Sequence, residues 1–194
     1  YKNSVKENLG WFEDDISETF KLIEKCDLSK SSIIFNAGAG ETLLIKKLQI
    51  DGYSNIIIND ISDVAIEKLK SSLDTLKGLN FIIDDLTNPD KLLKIEDVDL
   101  WHDRAVFHFF TDRKDIEKYK EVAIKNISDG GYLVHGTFSI NGPKKCSGLD
   151  VSQYSEQSLN EIFKSDFNLL ESFYIDHQTP FDTTQNFLFC IFKK

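Results

Sequence analysis

Glycines and acidic residues stand at the ends of three short apolar segments of the sequence. In FNAGAGET, Gly38 and Gly40 lack the Cβ atoms that would keep a ligand away from the backbone. Asp60 ends the second segment, NIIIND, 20 residues after Gly40, and Asp84 and Asp85 end the third, NFIIDD. Carboxylates at strand ends accept hydrogen bonds from ribose hydroxyls and from the exocyclic amine of an adenine. This spacing predicts a site for a ligand that contains both groups.

The glycine turn departs from two common nucleotide-binding motifs. The dinucleotide motif GxGxxG/A requires a small residue at position 43, where Leu43 stands, and no GK[ST] triplet follows the turn as in a P-loop. The remaining features need no phosphate site. S-adenosylmethionine is a ligand of that kind, with Leu86 placed to cover its adenine ring. A single aspartate at a strand end is more often the cap of the next helix, but three such features at matching strand ends favour a ligand.

Polar residues at the end of a fourth apolar segment, DLWHDR, are the candidates for transfer chemistry. Displacement of a methyl group from a sulfonium depends mostly on alignment, and a general base is needed only when the acceptor must first lose a proton. His102, with an ordinary pKa of about 6.5, is either such a base or a hydrogen-bonding residue of the loop. Asp103 and Arg104 either pair with each other or with neighbouring residues as part of the scaffold, or Arg104 holds an anionic acceptor. These three are the candidate catalytic residues.

The elements that position these residues alternate between the apolar period of a strand and that of a helix. The predicted strands are SSIIFNA, NIIIND, NFIIDDL, DVDLWHD and YLVHGTFS, the last of them after a turn at residues 129–131. The predicted helices cover residues 12–26, 41–52, 61–78, 112–128 and 155–165. Strands that alternate with helices predict a parallel sheet with helices on both faces, because right-handed crossovers place them there.

The end of the sequence breaks this alternation. NLLESFYIDHQ and NFLFCIFKK are separated only by TPFDTTQ, which is too short for a crossover between parallel strands. These two segments are predicted to form an antiparallel hairpin. The predicted fold class is therefore α/β, with a doubly wound, mostly parallel Rossmann-like sheet that ends in an antiparallel hairpin and carries helices on both faces.

Composition limits the class of protein. The chain of 194 residues is 41% hydrophobic and carries a formal net charge of -9. We therefore expect a single domain over 1–194, and we do not expect nucleic acid or an anionic membrane as a partner. Three dispersed cysteines form no CxxC pair, and the four histidines have no metal-binding spacing. These observations predict a cytoplasmic protein with reduced thiols and no metal site.

Other residues allow two interpretations each. Residues 1–30 are expected to form an N-terminal helical or lid segment, in which Trp11 and Phe12 either fold over the ligand or act as a hydrophobic staple. Phe107, Phe109 and Phe110 are expected to belong mainly to the core, although one of these rings would also suit the pocket, where it would stabilise the sulfonium. The loop that begins at Cys146 either lines the acceptor pocket or contributes only a small apolar residue.

Nearly the whole sequence resembles the class I S-adenosylmethionine-dependent methyltransferases. The resemblance rests on IIFNAGAGET, IIINDIS, FIIDDLT, DLWHDRAVFHF, SDGGYLVHGTF and the closing hairpin. DLWHDRAVFHF, KCSGL and HQTPFDTTQNFLFC are similar to a small bacterial branch with no assigned substrate. The resemblance implies a seven-stranded sheet whose last strand is antiparallel. It also implies that Gly38 and Gly40 lie by the methionine moiety, Asp60 by the ribose and Asp85 by the adenine.

The sequence departs from this family at two positions. Asn36 stands where an acidic residue is common, and Thr42 stands where a third glycine is common. Asn36 still orients the loop or accepts a hydrogen bond from the ligand's ammonium group, but it carries no charge, so cofactor affinity is the property it affects. The candidate cofactor-binding residues are Asn36, Gly38, Ala39, Gly40, Asp60, Ile61, Asp84, Asp85, Leu86 and His102.

The resemblance implies transfer of a methyl group from S-adenosylmethionine to an acceptor by in-line displacement. A small-molecule acceptor is favoured because the predicted sheet uses nearly all of the sequence. One alternative is a protein lysine or N-terminal amine, since an acidic surface attracts a basic partner. The other alternative is a module that binds S-adenosylmethionine without catalysis.

Overall fold

The computed structural model describes residues 16–179 and 183–194. Trp11, Phe12 and the rest of the expected N-terminal segment before residue 16 lie outside the described residues. The described part of the opening helix is α1, Ser17–Lys25, which buries Phe20 and Ile23 on one face.

The predicted alternation of strands and helices is confirmed. The first five strands are β1 Ile33–Ala37, β2 Asn55–Asp60, β3 Leu79–Ile83, β4 Val98–Arg104 and β5 Ile127–Phe138. The remaining helices are α2 Leu44–Ile50, α3 Asp63–Ser72, α4 Arg113–Asn126 and α5 Glu156–Phe163, with short 3-10 helices at Leu92–Lys94 and Phe107–Phe109. A small hairpin of β6 Lys145–Cys146 and β7 Leu149–Asp150 follows β5, and β8 Asn168–Gln178 and β9 Thr184–Lys193 come last.

Seven strands form one sheet in the order β3-β2-β1-β4-β5-β9-β8. Neighbouring strands among β1 to β5 run parallel, whereas β9 runs antiparallel to both β5 and β8. The predicted hairpin therefore exists, and its second strand lies inside the sheet. The predicted fold class is confirmed.

Alternation along the strands sends side chains into two separate cores. Ile34, Leu100 and Val134 belong to the core that contains residues of α1, α2 and α3. Trp101 and Leu133 belong to the core that contains residues of α4 and α5. Neighbouring residues of β4 thus contact different layers, as the period of two requires. No helix in the described part of the chain is long and apolar enough to cross a membrane.

Helix α3 is shorter than predicted, because it ends at Ser72 and the prediction reached residue 78. The hydroxyl groups of Ser71 and Ser72 donate to the backbone carbonyls of Glu67 and Leu69, each at 2.8 Å. Serines that bond to nearby carbonyls compete with the helical pattern. The next residue, Leu73, has an extended backbone.

The turn predicted at residues 129–131 is instead a bulge inside β5. The register between β4 and β5 shifts between Val98 and Leu100, and Gly130 has a φ of +80°. Between these two pairs β5 has three residues more than β4, and a glycine with a positive φ is common where a strand bulges. Strand β5 therefore begins at Ile127, directly after α4.

Candidate active site

A cavity of about 710 Å³ opens at the carboxyl ends of the parallel strands. Doubly wound sheets leave such a crevice where successive crossovers pass to opposite faces. Seven of the predicted site residues line the cavity: Gly38, Asp60, Ile61, Asp84, Asp85, Leu86 and Arg104.

Asp60 ends β2 and fixes the glycine turn. Its Oδ2 atom accepts a hydrogen bond from the backbone N–H of Gly40 at 2.8 Å, and Oδ1 accepts one from the N–H of Ser62 at 2.8 Å. Burial raises the pKa of this carboxyl group, although hydrogen bonds from the backbone N–H groups around it act in the opposite direction. The side chain thus has a fixed orientation on the cavity wall.

Asp84 and Asp85 accept hydrogen bonds from different parts of the chain. Asp84 Oδ2 accepts from the N–H groups of Asp90, Lys91 and Leu92 at 2.8 to 3.0 Å, so it caps the 3-10 helix behind it. Burial opposes ionisation of Asp84, but these N–H donors and that of Asp85 outweigh burial and lower its pKa. The carboxylate of Asp85 accepts through Oδ1 from the N–H and the hydroxyl of Thr87, each at 2.8 Å. Among the described residues no donor reaches its Oδ2.

Gly38 is needed for a contact inside the protein. Its φ is +51°, and a Cβ atom there would lie 2.2 Å from Cγ2 of Val106. The side chain of Val106, in the loop after β4, therefore makes the close approach to this glycine. The structure gives a physical reason for Gly38 that differs from the ligand approach expected from the sequence.

Four of the predicted cofactor-binding residues are not among the described residues that line this cavity: Asn36, Ala39, Gly40 and His102. Nδ2 of Asn36 lies 3.2 Å from Nδ1 of His102, and both side chains are buried. The N–H of Ala39 donates to the carbonyl of Asn59 at 2.8 Å, so the turn is fixed to β2 a second time.

His102, Asp103 and Arg104 do not form one cluster, because β4 sends them to alternate faces. His102 contacts Asn36 on the side of α1 to α3, whereas Asp103 lies on the side of α4. Of these three residues, Arg104 is the one that lines the cavity formed by the described residues. The pair of Asp103 and Arg104 considered from the sequence is therefore replaced by two separate sets of contacts.

Asp103 belongs to a buried hydrogen-bonding chain. The hydroxyl of Tyr119 donates to Asp103 Oδ2 at 2.8 Å and accepts from Nε1 of Trp101 at 2.9 Å. Asp103 Oδ1 accepts from the N–H groups of Val106 and Phe107. Burial raises the pKa of Asp103 to about 6, and the hydrogen bonds from Tyr119, Phe107 and Val106 limit that increase. Its contacts give Asp103 the role of holding the loop after β4.

Arg104 places a positive charge at the β4 end of the cavity. Its guanidinium carbon lies 4.9 Å from the centre of the Phe187 ring, a stacking contact that orients the group. Burial, followed by the charge of Arg104, lowers the pKa of His102 to about 3, and the same causes lower that of His108 to about 3. Both histidines are therefore neutral at ordinary pH.

Several wall residues were not predicted from the sequence: Asn59, Ala105, Val106, Thr111, Leu149 and Asp150. Ala105 has a φ of +65°, and this kink after β4 directs the next residues across the cavity. Phe109, Phe110 and Ser147, for which the sequence allowed two interpretations, also line it. Most of these residues lie in loops that follow strands of the sheet, and that position is the sequence signal that could have identified them.

The described residues contain no group of three or more His, Cys, Asp or Glu side chains arranged to hold a metal ion.

The sequence matches no protein-family profile. Among curated proteins it is similar to EEF1A lysine methyltransferase 2 of Danio rerio, with 26% identity over 168 residues that cover 82% of this chain and 65% of that protein. The chain thus spans about two thirds of the length of this relative.

Solved structures share the whole architecture. A S-adenosylmethionine-dependent methyltransferase of Anabaena variabilis matches with a TM-score of 0.76 and 14% identity, over 95% of this chain and 86% of the other. The 1,6-didemethyltoxoflavin-N1-methyltransferase of Burkholderia thailandensis, with bound S-adenosylhomocysteine, matches with a TM-score of 0.67 and 14% identity, over 84% and 71%. The resemblance predicted from the sequence is confirmed at this level: the chain has the fold of the S-adenosylmethionine-dependent methyltransferases.

Proposed function

We propose that this chain binds S-adenosylmethionine in the cavity at the strand ends and transfers its methyl group to a small molecule. The observation that carries the proposal is the pair of carboxylates on one wall. Asp60 is held by the glycine turn, Asp85 is held by Thr87 through its Oδ1 atom, and both residues line the cavity. A volume of about 710 Å³ also falls in the range of small-molecule sites.

The residues present fit the two halves of an adenosine. In our proposal Asp60 accepts hydrogen bonds from the ribose hydroxyls, and Asp85 accepts one from the adenine amine. Ile61 and Leu86 supply apolar contacts for the adenine ring, and both line the cavity. Asp84 contributes indirectly, because it fixes the loop that presents Asp85.

The methionine moiety is proposed to extend along the glycine turn. Gly38, Ala39 and Gly40 form the backbone of this turn. Asn36, which precedes the turn, contacts His102 of β4. When bound, S-adenosylmethionine supplies a methyl group on a sulfonium, so one displacement forms the bond to the acceptor atom and breaks the bond to sulfur.

The chain's own residues orient the acceptor for this displacement. We assign no proton transfer to His102, because it is not among the described residues that line the cavity and a pKa lowered to about 3 makes it a weak base, or to Asp103, which is turned to the opposite face. Arg104 is the one of the three candidate catalytic residues that we propose to contact the acceptor, as a positioning group. An acceptor proton, where there is one, leaves to solvent through the open mouth of the cavity.

A protein lysine is the second candidate acceptor, and it is favoured by the similarity to EEF1A lysine methyltransferase 2 of Danio rerio. The small molecule is our first candidate, because a cavity of about 710 Å³ falls in the range of small-molecule sites. The net charge of -9 also makes nucleic acid a poor partner. A binding module without catalysis is the third candidate, and turnover with labelled S-adenosylmethionine distinguishes it from the other two.

Calorimetric titration with S-adenosylmethionine and S-adenosylhomocysteine tests the proposal. We expect binding of both by the native chain, and we expect Asp60→Ala to weaken it by about 1.5 to 3 kcal/mol, the range for hydrogen bonds to a charged group. Asp60→Asn, which keeps the shape of the side chain, should lose less.

Asp74→Ala is the matched control, because this carboxylate pairs with Lys46 on the surface and lies outside the described cavity wall. Circular dichroism establishes that each variant is folded. The proposal is wrong if the native chain binds neither compound, or if folded Asp60→Ala and Asp60→Asn bind as tightly as the native chain.

A further inference from the structure

A buried asparagine precedes Asp60 in β2. Asn59 is 1% exposed, and it lines the cavity. Asparagine is depleted in strands, and a buried amide costs free energy unless its hydrogen bonds are formed. The interior of a strand alone therefore gives no reason for this residue, and its hydrogen-bonding partners have to supply one.

The side-chain amide of Asn59 connects β2 to the loop that carries Asp85. Its Nδ2 atom donates to the backbone carbonyl of Ile82 at 3.2 Å and to that of Asp84 at 3.0 Å. Ile82 is its partner in the register of β2 and β3, whereas Asp84 lies beyond the end of β3. The amide thus holds the chain against β2 after the last pair of the register.

The carbonyl of Asp84 belongs to the peptide group that joins Asp84 to Asp85. The N–H of the same peptide group donates to Asp84 Oδ1 at 3.1 Å. Both polar atoms of the peptide are therefore bound, and a rotation of its plane would break both hydrogen bonds. The contact with Asn59 thus fixes the point at which the backbone of Asp85 begins.

The backbone of Asn59 contacts the other part of the site. Its carbonyl accepts from the N–H of Ala39 in the glycine turn at 2.8 Å, and the next residue, Asp60, accepts from the N–H of Gly40. One residue is therefore bound both to the turn beside Asp60 and to the peptide group beside Asp85.

We infer that Asn59 is a positioning residue that fixes Asp85 relative to Asp60, so that the site selects a nucleoside with an amine on its purine. This inference rests on the proposed function, because it concerns the adenosine half of the same site. A carboxylate accepts a hydrogen bond from the amine of adenine, but not from the carbonyl oxygen that hypoxanthine has at the same place. Selectivity between these two bases therefore reports the position of Asp85.

A pair of ligands measures this selectivity. S-adenosylhomocysteine has an amine on its base where S-inosylhomocysteine has a carbonyl. In calorimetric titrations of the native chain we expect S-adenosylhomocysteine to bind about tenfold or more tightly. In Asn59→Ala we expect this ratio to fall to about threefold or less, because a hydrogen bond weakens steeply when its geometry changes. A residue that served only the stability of the fold would leave the ratio unchanged.

A double-mutant cycle shows whether Asn59 acts through Asp85. Asp85→Ala should remove the preference for the amine. Asn59→Ala added to Asp85→Ala should then change the ratio no further, because the effects of residues in one network are not additive.

Two further variants complete the series. Asn55→Ala is the matched control, because Asn55 begins the same strand, is exposed, and donates from Nδ2 to the carbonyl of Ser31 at 2.7 Å. It should keep the native ratio. Asn59→Thr, which suits a strand and retains one hydroxyl donor, should give an intermediate ratio.

Three results overturn the inference: equal binding of the two ligands by the native chain, a folded Asn59→Ala protein with the native ratio, or an Asp85→Ala protein that keeps the preference. If Asn59→Ala does not fold, Asn59→Thr decides, and the native ratio in that variant refutes the inference. Titration of the native chain with S-adenosylhomocysteine reports separately on the proposed function. Binding without selectivity refutes this inference alone, whereas binding of neither ligand refutes both.

Discussion

At the scale of single residues, the sequence WHDR shows how a strand separates neighbours that look like one catalytic group. The period of two of β4 directs His102 and Arg104 to one layer and Asp103 to the other. That separation was available from the sequence, since the strand itself was predicted. The different tasks of Asp84 and Asp85 were not available, because they depend on N–H donors of residues 90–92, whose position follows from the fold.

Tyr119→Phe tests the buried chain of hydrogen bonds around Asp103. The change leaves Nε1 of Trp101 and Oδ2 of Asp103 without their shared partner, so we expect the free energy of unfolding to fall by about 1 to 3 kcal/mol. The hydrogen bond from Tyr119 lowers the pKa of Asp103, so its removal raises that pKa further above about 6.

The sign of the pH dependence follows from this shift. A carboxyl group whose pKa is raised in the folded state stabilises the fold at low pH and loses that contribution as pH rises through the folded pKa. The loss caused by Tyr119→Phe should therefore be smaller at pH 5 than at pH 8, as measured by urea denaturation. Tyr174→Phe, on the exposed face of β8, is the control. An equal loss at both pH values would contradict the assigned role of Asp103.

At the scale of elements, apolar periodicity was sufficient to predict the order of strands and helices and the final hairpin. It failed where local hydrogen bonds decide. Helix α3 stops at two serines that bond to their own helix, and the bulge of β5 depends on its pairing with β4. The hairpin of β6 and β7 contains four paired residues, too few to give a periodic signal. It nevertheless supplies Leu149 and Asp150 to the cavity wall.

Ser155→Ala tests the start of helix α5. The Ser155 hydroxyl accepts from the N–H of Ser158 at 3.1 Å, and the Ser158 hydroxyl accepts from the N–H of Ser155 at 2.9 Å. Loss of such a cap costs about 1 kcal/mol of unfolding free energy. Chemical denaturation of the native and variant proteins measures the difference.

Ser71→Ala is the contrasting control for that measurement. Ser71 lies near the end of α3 and donates to a carbonyl of its own helix, so alanine should change stability by less than about 0.5 kcal/mol or increase it slightly. A loss from Ser155→Ala no larger than the effect of Ser71→Ala would show that α5 does not depend on its cap.

At the scale of the whole molecule, three buried histidines make the fold sensitive to acid. Burial is the main cause that lowers the pKa values of His102, His108 and His135 from 6.5 to about 3. Between these values the unfolded chain binds protons that the folded chain excludes, so stability is present above pH 6.5 and is lost as pH falls. Asp103 and Asp60, whose pKa values are raised, make the fold more stable as pH falls. These two groups offset part of the stability that the three histidines lose.

We therefore expect the free energy of unfolding to decrease steadily from pH 7 to pH 5. His135→Gln should reduce the slope by about one proton, which corresponds to about 1.4 kcal/mol per pH unit. Urea titrations at four pH values measure both slopes. A stability that is constant over this range, or a slope unchanged by His135→Gln, would contradict the neutral, buried state of these rings.

The place of β9 has a consequence for synthesis on the ribosome. Strand β9 pairs with β5 and with β8, and both of these strands precede it in the chain. While the nascent chain grows, β5 keeps an unpaired edge until residues 184–193 have left the exit tunnel. Unpaired edges invite association between chains, so the interval between the emergence of β5 and of β9 is the period in which a chaperone would protect this protein most.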